Sequence, residues 1–166
     1  MSSRAAELAA KLRQVNAGAI AFVEAIPDGQ WFAPVAVENR TVAASVYHIA
    51  QAYRAEGAVM RAIASSTQVP DAFHDWEKIH AANAIGAREN ERVSKQDAIA
   101  SLKRRGDELA ASLESLTDEQ LDQRQYVGIL KAEVSTEEFV TMVILDHPQG
   151  HVANIKDALA GAAGGT

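Results

Sequence analysis

The chain has no cysteine among its 166 residues, which excludes disulfides, thiolate metal ligands and a cysteine nucleophile together. Any bound ion must therefore be held by nitrogen and oxygen. The same absence suits a reducing compartment, and a cytoplasmic protein is expected. Aromatic residues make up only 5% and there are just four prolines, against abundant alanine, so helix is favoured over sheet. There is no basic excess: Lys and Arg total 16 against 22 Asp and Glu, for a net charge of −6. No broad basic surface follows, and no nucleic-acid partner is expected. The most apolar run, Phe139 to Leu145, is far shorter than the roughly 20 residues of a membrane helix, so no membrane association is expected. Met1-Ser2-Ser3-Arg4 leads into an amphipathic stretch rather than a signal-peptide core. Without a secretion signal, the acceptor-like Asn39-Arg40-Thr41 carries no weight. The length fits one domain, residues 1–166.

What is present is helical periodicity. Leu8, Leu12, Val15, Ala19, Phe22 and Ile26 form one apolar stripe, ended by Pro27-Asp28-Gly29. Trp31, Phe32 and Pro34 follow as a connection expected to plug one end of the core. Thr41 reads as the N-cap of a second helix whose stripe is Val42, Val46, Ile49, Tyr53, Met60 and Ile63. Tyr47, Gln51, Arg54 and Arg61 fall on its wet side. Asp75 to Asn90 predicts an irregular helix. Ser94 with Asp97 caps a third strong helix carrying Ile99, Leu102, Leu109 and Leu113. Leu116 to Leu121 reads as a short helical turn, and Tyr126 to Val134 as a small hairpin or an ordered loop. Ser135 and Glu138 form a capping box for a last helix, with Phe139, Met142, Val143, His147, His151, Ile155 and Leu159 on one face. Gly161 to Thr166 is expected to fray. The fold class is all-α: a four-helix bundle with a long crossover between helices two and three.

Two histidines four apart, His147 and His151, can present neighbouring imidazoles on one helix face. Metal sites in bundles are built from side chains projecting inward from facing helices. His48, at the margin of the buried arc of helix two among small neighbours, is the candidate third ligand. Three imidazoles leave coordination positions open to water or substrate, as a catalytic ion requires. Pro148 either kinks the helix between the pair or restarts it with Pro148 in its first turn, which puts His147 at the cap. Glu56 projects into the apolar arc, where pairing with an arginine or hydration is expected. It lies eight residues from His48, about 12 Å along the axis, too far to share an ion. His80 and Asn83 could reach a pocket mouth, with Glu56 a further possible pocket residue, whereas His74 reads as a surface residue.

Arg40-Thr41-Val42 leading to Tyr47-His48-Ile49-Ala50, with His147-Pro148-Gln149-Gly150-His151-Val152-Ala153-Asn154-Ile155 late in the chain, resembles the DinB/YfiT-like superfamily of metal-binding four-helix bundles. That superfamily includes the mycothiol-dependent maleylpyruvate isomerase group. Asn83-Ala84, Val93-Ser94-Lys95 and Leu116 to Leu121 also look like members of this group. Where relatives often carry tryptophan just before helix two, this chain has Glu38-Asn39-Arg40. The resemblance implies one divalent ion, zinc or nickel, on His48, His147 and His151, and a homodimer. It also implies a small-molecule substrate and a low-molecular-weight thiol used in transfer or isomerisation, with the sulfur supplied by the thiol rather than by the chain. The alternatives are hydrolysis at metal-activated water and a non-catalytic, ligand-binding homodimer.

Overall fold

A computed structural model describes residues 3–163. Helix α1 (Arg4–Ala25) opens on Ser3, whose hydroxyl accepts from the Ala6 amide. After a 3-10 turn, Trp31 is buried and its Nε1 donates to the Val93 carbonyl at 2.8 Å. Phe32, expected to plug the core beside it, is instead 42% exposed. Two short antiparallel strands, β1 (Pro34–Val35) and β2 (Arg40–Thr41), pair Pro34 with Thr41 and Val35 with Arg40. Their turn closes through Asn39, whose φ of 53° is left-handed, a conformation asparagine tolerates better than most residues.

Helix α2 (Val42–Ala64) starts at the Thr41 cap, as its sequence requires. The crossover that follows carries α3 (Trp76–Glu89), regular over its whole length and capped by Asp75. Helix α4 (Lys95–Glu114) begins at Ser94. After α5 (Asp118–Asp122), strands β3 (Arg124–Val127) and β4 (Ala132–Ser135) form the hairpin. A Cβ on Gly128 at its tip would meet the His74 backbone at 2.5 Å. The hairpin therefore presses directly on the crossover, and glycine is required there.

The last bundle element is not one helix. The Ser135–Glu138 capping box starts α6 (Thr136–Phe139). A π-helical segment, Val140–Ile144, comes next, with the Leu145 amide donating to the Val140 carbonyl. Then α7 (Asp146–Ala163) begins. Pro148 thus sits in the first turn of a new helix, where an amide hydrogen has no intrahelical use. His147 lies inside that turn rather than at the cap. The interruption turns Met142 outward, 56% exposed, while Phe139, Val140 and Ile144 are fully buried. Gly161 to Ala163 continue α7 rather than fray; residues 164–166 and the chain's first two lie outside the described residues.

Helices α1, α2, α4 and the α6–α7 element enclose one core, with Leu12, Ile49, Met60, Leu102, Phe139 and Ile155 among its fully buried side chains. Among the buried polar side chains, Asn16 ties three helices together. Asn16 donates to the Leu102 carbonyl at 3.0 Å and accepts from the Tyr53 hydroxyl at 3.2 Å. A Cβ on Gly106 would lie 2.2 Å from Asn16 Nδ2, so α1 and α4 approach closely only because that position has no side chain. Gly→Ala inside a helix ordinarily stabilises by about 1 kcal/mol. Gly106→Ala is expected to do the reverse, costing about 1–3 kcal/mol by overpacking, which lowers the melting temperature by roughly 2–4 °C per kcal/mol in a chain of this size. Thermal unfolding of the variant checks the sign.

Candidate metal centre

His48 projects from the second turn of α2, and His147 and His151 from the first turns of α7. One ring nitrogen from each lies within 4.8 Å of the other two. The ring centroids are 5.2 Å apart for His48 and His147, 4.9 Å for His48 and His151, and 4.5 Å within the α7 pair. His48, 99 residues before His147 in the sequence, therefore meets the α7 pair at one point.

The far sides of the α7 rings are fixed by carboxylates. Glu38, in the β1–β2 turn, receives the His151 Nδ1 hydrogen at 2.6 Å and the Asn154 Nδ2 hydrogen at 2.9 Å, both on Oε1. Glu56, two turns along α2 from His48, places Oε1 2.7 Å from His147 Nδ1, without the alignment of the first contact. The expected arginine partner of Glu56 is replaced by this histidine: the carboxylate reaches the site through the ring's outer nitrogen. The two Nε2 atoms lie 2.7 Å apart. Nitrogens that close need a proton or a cation between them, and the donor set fits a divalent ion.

The electrostatics agree. Burial, reinforced by the charge of Arg40 and the neighbouring imidazoles, pushes the pKa of His48 down from 6.5 to about 2, keeping the ring neutral as a ligand must be. Burial acts to raise Glu38, but the hydrogen bond and charge of His151 and the Asn154 amide outweigh it and hold the carboxyl at about 2. Glu38 Oε2 and Glu56 Oε2 are buried without hydrogen-bond partners. Among the described residues, the one guanidinium paired with them is Arg40, 3.9 Å from Glu38 Oε2, and an ion on the imidazoles would offset the carboxylate charge that remains.

The cluster opens into a cavity of about 870 Å³ lined by α2, α3, the β3–β4 turn and α7. Asn83 and Glu56 line it, as does Gln51, expected on the wet face. His80 does not; its ring lies 5.5 Å from that of Trp76, at 34° to it. Trp76 lines the cavity and donates Nε1 to the Ile129 carbonyl at 3.1 Å. Glu38 was the functional residue hidden from the sequence; the only hint was an acidic residue where relatives often have tryptophan.

A sequence profile of the DinB superfamily matches residues 11–155. No curated protein matches the chain. Among solved structures, the chain is similar to YfiT from Bacillus subtilis, described as a probable metal-dependent hydrolase with an unusual four-helix bundle topology. The identity is 18% and the TM-score 0.74, over 96% of this chain and 88% of that one.

Two expectations follow. Carboxylates behind metal-bound histidines typically contribute about 10–100-fold in affinity, so Glu38→Gln is expected to weaken zinc binding by at least tenfold in competition with a chelator of known affinity. The second concerns the chelator-treated protein. Below pH 6.5 the unfolded chain takes a proton on His48 that the folded chain refuses, so stability falls with acidification by about 1.4 kcal/mol per pH unit. Glu38, depressed in the folded state, adds its loss only below the unfolded value of 4.5. Urea midpoints between about pH 6.5 and 5 should therefore show a slope that His48→Gln flattens.

Proposed function

The chain belongs to the DinB superfamily, and from that membership and the geometry of its three imidazoles we propose that it is a divalent-metal-dependent enzyme acting on a small molecule, with hydrolysis as the reaction class. The single observation that carries this reading is the convergence of His48, His147 and His151 with Glu38 and Glu56 behind the outer nitrogens of two of them. Three neutral nitrogens suit zinc or nickel and leave further coordination positions free. When bound, such an ion would supply Lewis-acid activation of a water, a carbonyl oxygen or a thiol. The chain's own residues do the rest. Glu38 and Glu56 orient the imidazoles, the apolar walls exclude bulk water, and Gln51, Asn83 and Asn154 offer amide groups to a polar substrate.

A second reading, transfer or isomerisation with a low-molecular-weight thiol, is favoured by the cavity volume. About 870 Å³ lies toward the upper end of small-molecule sites and accommodates two reactants. The cysteine-free chain cannot supply that sulfur itself. The YfiT description agrees with the first reading, and the resemblance to thiol-using isomerases with the second. A homodimer that binds ligand without turnover is a third reading, and it predicts no substrate consumption with the ion in place.

Elemental analysis of protein purified without a polyhistidine tag should find about one zinc or nickel per chain, and the His48→Ala/His151→Ala double variant should find almost none. Unchanged metal content in that variant sinks the proposal. Loaded protein tested against esters and amides alone, and against electrophiles with and without added thiol, separates hydrolysis from thiol transfer.

A further inference from the structure

The elements that line the cavity divide by chemistry. Helices α2 and α7 supply the three imidazoles, with the amides of Gln51 and Asn154 beside them. The lining from the crossover, the β3–β4 turn and the π-helical segment is apolar or glycine except for Asn83 and Glu89. This apolar wall is held in place by the protein itself. Trp76 donates its only N–H to the Ile129 carbonyl at 3.1 Å, and Gly128 presses on the His74 backbone. The outer edge of the wall meets water. Trp76, Ile85 and Met142 are 48%, 48% and 56% exposed, and all three line the cavity. They are half of the six exposed large hydrophobic side chains among the described residues. Single exposed apolar residues need no explanation, but a group gathered at one mouth marks a surface that a ligand covers. The hollow of about 870 Å³ beside the imidazoles suits a small molecule better than the flat face of another chain.

From this division we infer that the substrate carries a single polar head and an apolar body. The head meets the imidazoles and amides of α2 and α7, and the body lies against α3 and the β3–β4 turn. The assignment rests on the reading of this cavity as the substrate site, and it names the substrate class. A molecule hydroxylated along its length would lose water from its polar groups against Phe73, Ile79 and Ile129, whose side chains return no hydrogen bond. An apolar body releases water from both surfaces instead.

Butyrate, hexanoate and octanoate share a head and differ only in the body, and their titration against tryptophan fluorescence tests this. Trp31 is 3% exposed in the core, whereas Trp76 lines the cavity, so the Trp76→Phe variant identifies the cavity signal. Full burial of a methylene raises affinity about three- to fourfold. At a half-open mouth about twofold per methylene is expected, or roughly 16-fold from butyrate to octanoate. The Ile85→Ser/Met142→Ser variant changes two exposed positions, so it should melt near the parent and lose most of that gradient. Titrations of zinc-loaded and chelator-treated protein separate this inference from the metal reading. Zinc should tighten all three carboxylates by a common factor, while the gradient with length belongs to the wall and persists without the ion. A gradient in the chelated protein supports the inference even where metal analysis fails. Equal affinity across the series, no Trp76 response, or octanoate binding unchanged in the double variant overturns it. So does a mass that doubles with concentration in the parent and not in that variant, with no octanoate bound, which would assign the mouth to a second copy of the chain.

Discussion

Two buried carboxylates hold the imidazoles of α7 in place, and the arrangement of the site depends on them. A carboxylate removed from water is expensive unless charge and hydrogen bonds answer it. Glu38 gains two hydrogen bonds on one oxygen, from His151 and Asn154, while its other oxygen has only the Arg40 guanidinium, 3.9 Å away. Glu56 has one close imidazole and no hydrogen bond on Oε2. A cation on the inner nitrogens of the imidazoles would offset both carboxylates, its attraction passing through the rings. Ion binding and the packing of α7 against α2 and the β1–β2 turn would in this sense be one interaction, because His151, whose inner nitrogen faces the cluster, also contacts Glu38 in the turn.

The break before α7 has a related physical origin. A π turn carries one residue more than an α turn, so everything after it is rotated by about 100° relative to a continuous helix. The capping box at Ser135 and the buried Phe139 fix the start of this element. Continued without interruption, its apolar stripe would bury Met142. With the π segment in place, Val140 and Ile144 take the core positions and Met142 moves to the cavity rim. Pro148, which an interior turn would not tolerate, falls where its missing amide hydrogen costs nothing. A proline between the two histidines therefore becomes compatible with both of them facing α2.

The helices and the His147–His151 pair were legible because helical period and short side-chain spacing are properties of neighbouring residues. Thr41, Ser94 and Ser135 mark starts for the same reason. His48, by contrast, was joined to the pair by the bundle geometry and the family resemblance. Glu38 was not legible as a site residue. Its partner is 113 positions away, and its aim depends on the left-handed Asn39 in a two-residue-strand hairpin. Glu56 was visible as an odd carboxylate in an apolar arc, but a distance along the α2 axis measures only whether it shares an ion with His48. It says nothing of a residue on α7 standing between them, and the actual partner is that third body. His80 failed for a simpler reason. The cavity face of α3 runs through Ile79, Asn83 and Gly86, and His80 lies one position past its edge, against Trp76.

The division of labour within the molecule follows from where burial is greatest. His48, His147, His151, Glu38 and Glu56 belong to α2, α7 and the β1–β2 turn, elements anchored by fully buried residues such as Ile49, Val35 and Ile155. Helix α3 contributes no buried residue at all, yet it supplies Trp76, Ile79, Asn83, Gly86 and Glu89 to the cavity. Core positions resist substitution because neighbours pack on every side, whereas a half-exposed helix face changes at small cost in stability. The imidazole geometry is thus set by the part of the fold least able to vary, and the far wall of the cavity by the part most able to. Under the proposed function, changing the shape or charge of α3 would alter selectivity while leaving the donor set where the core holds it.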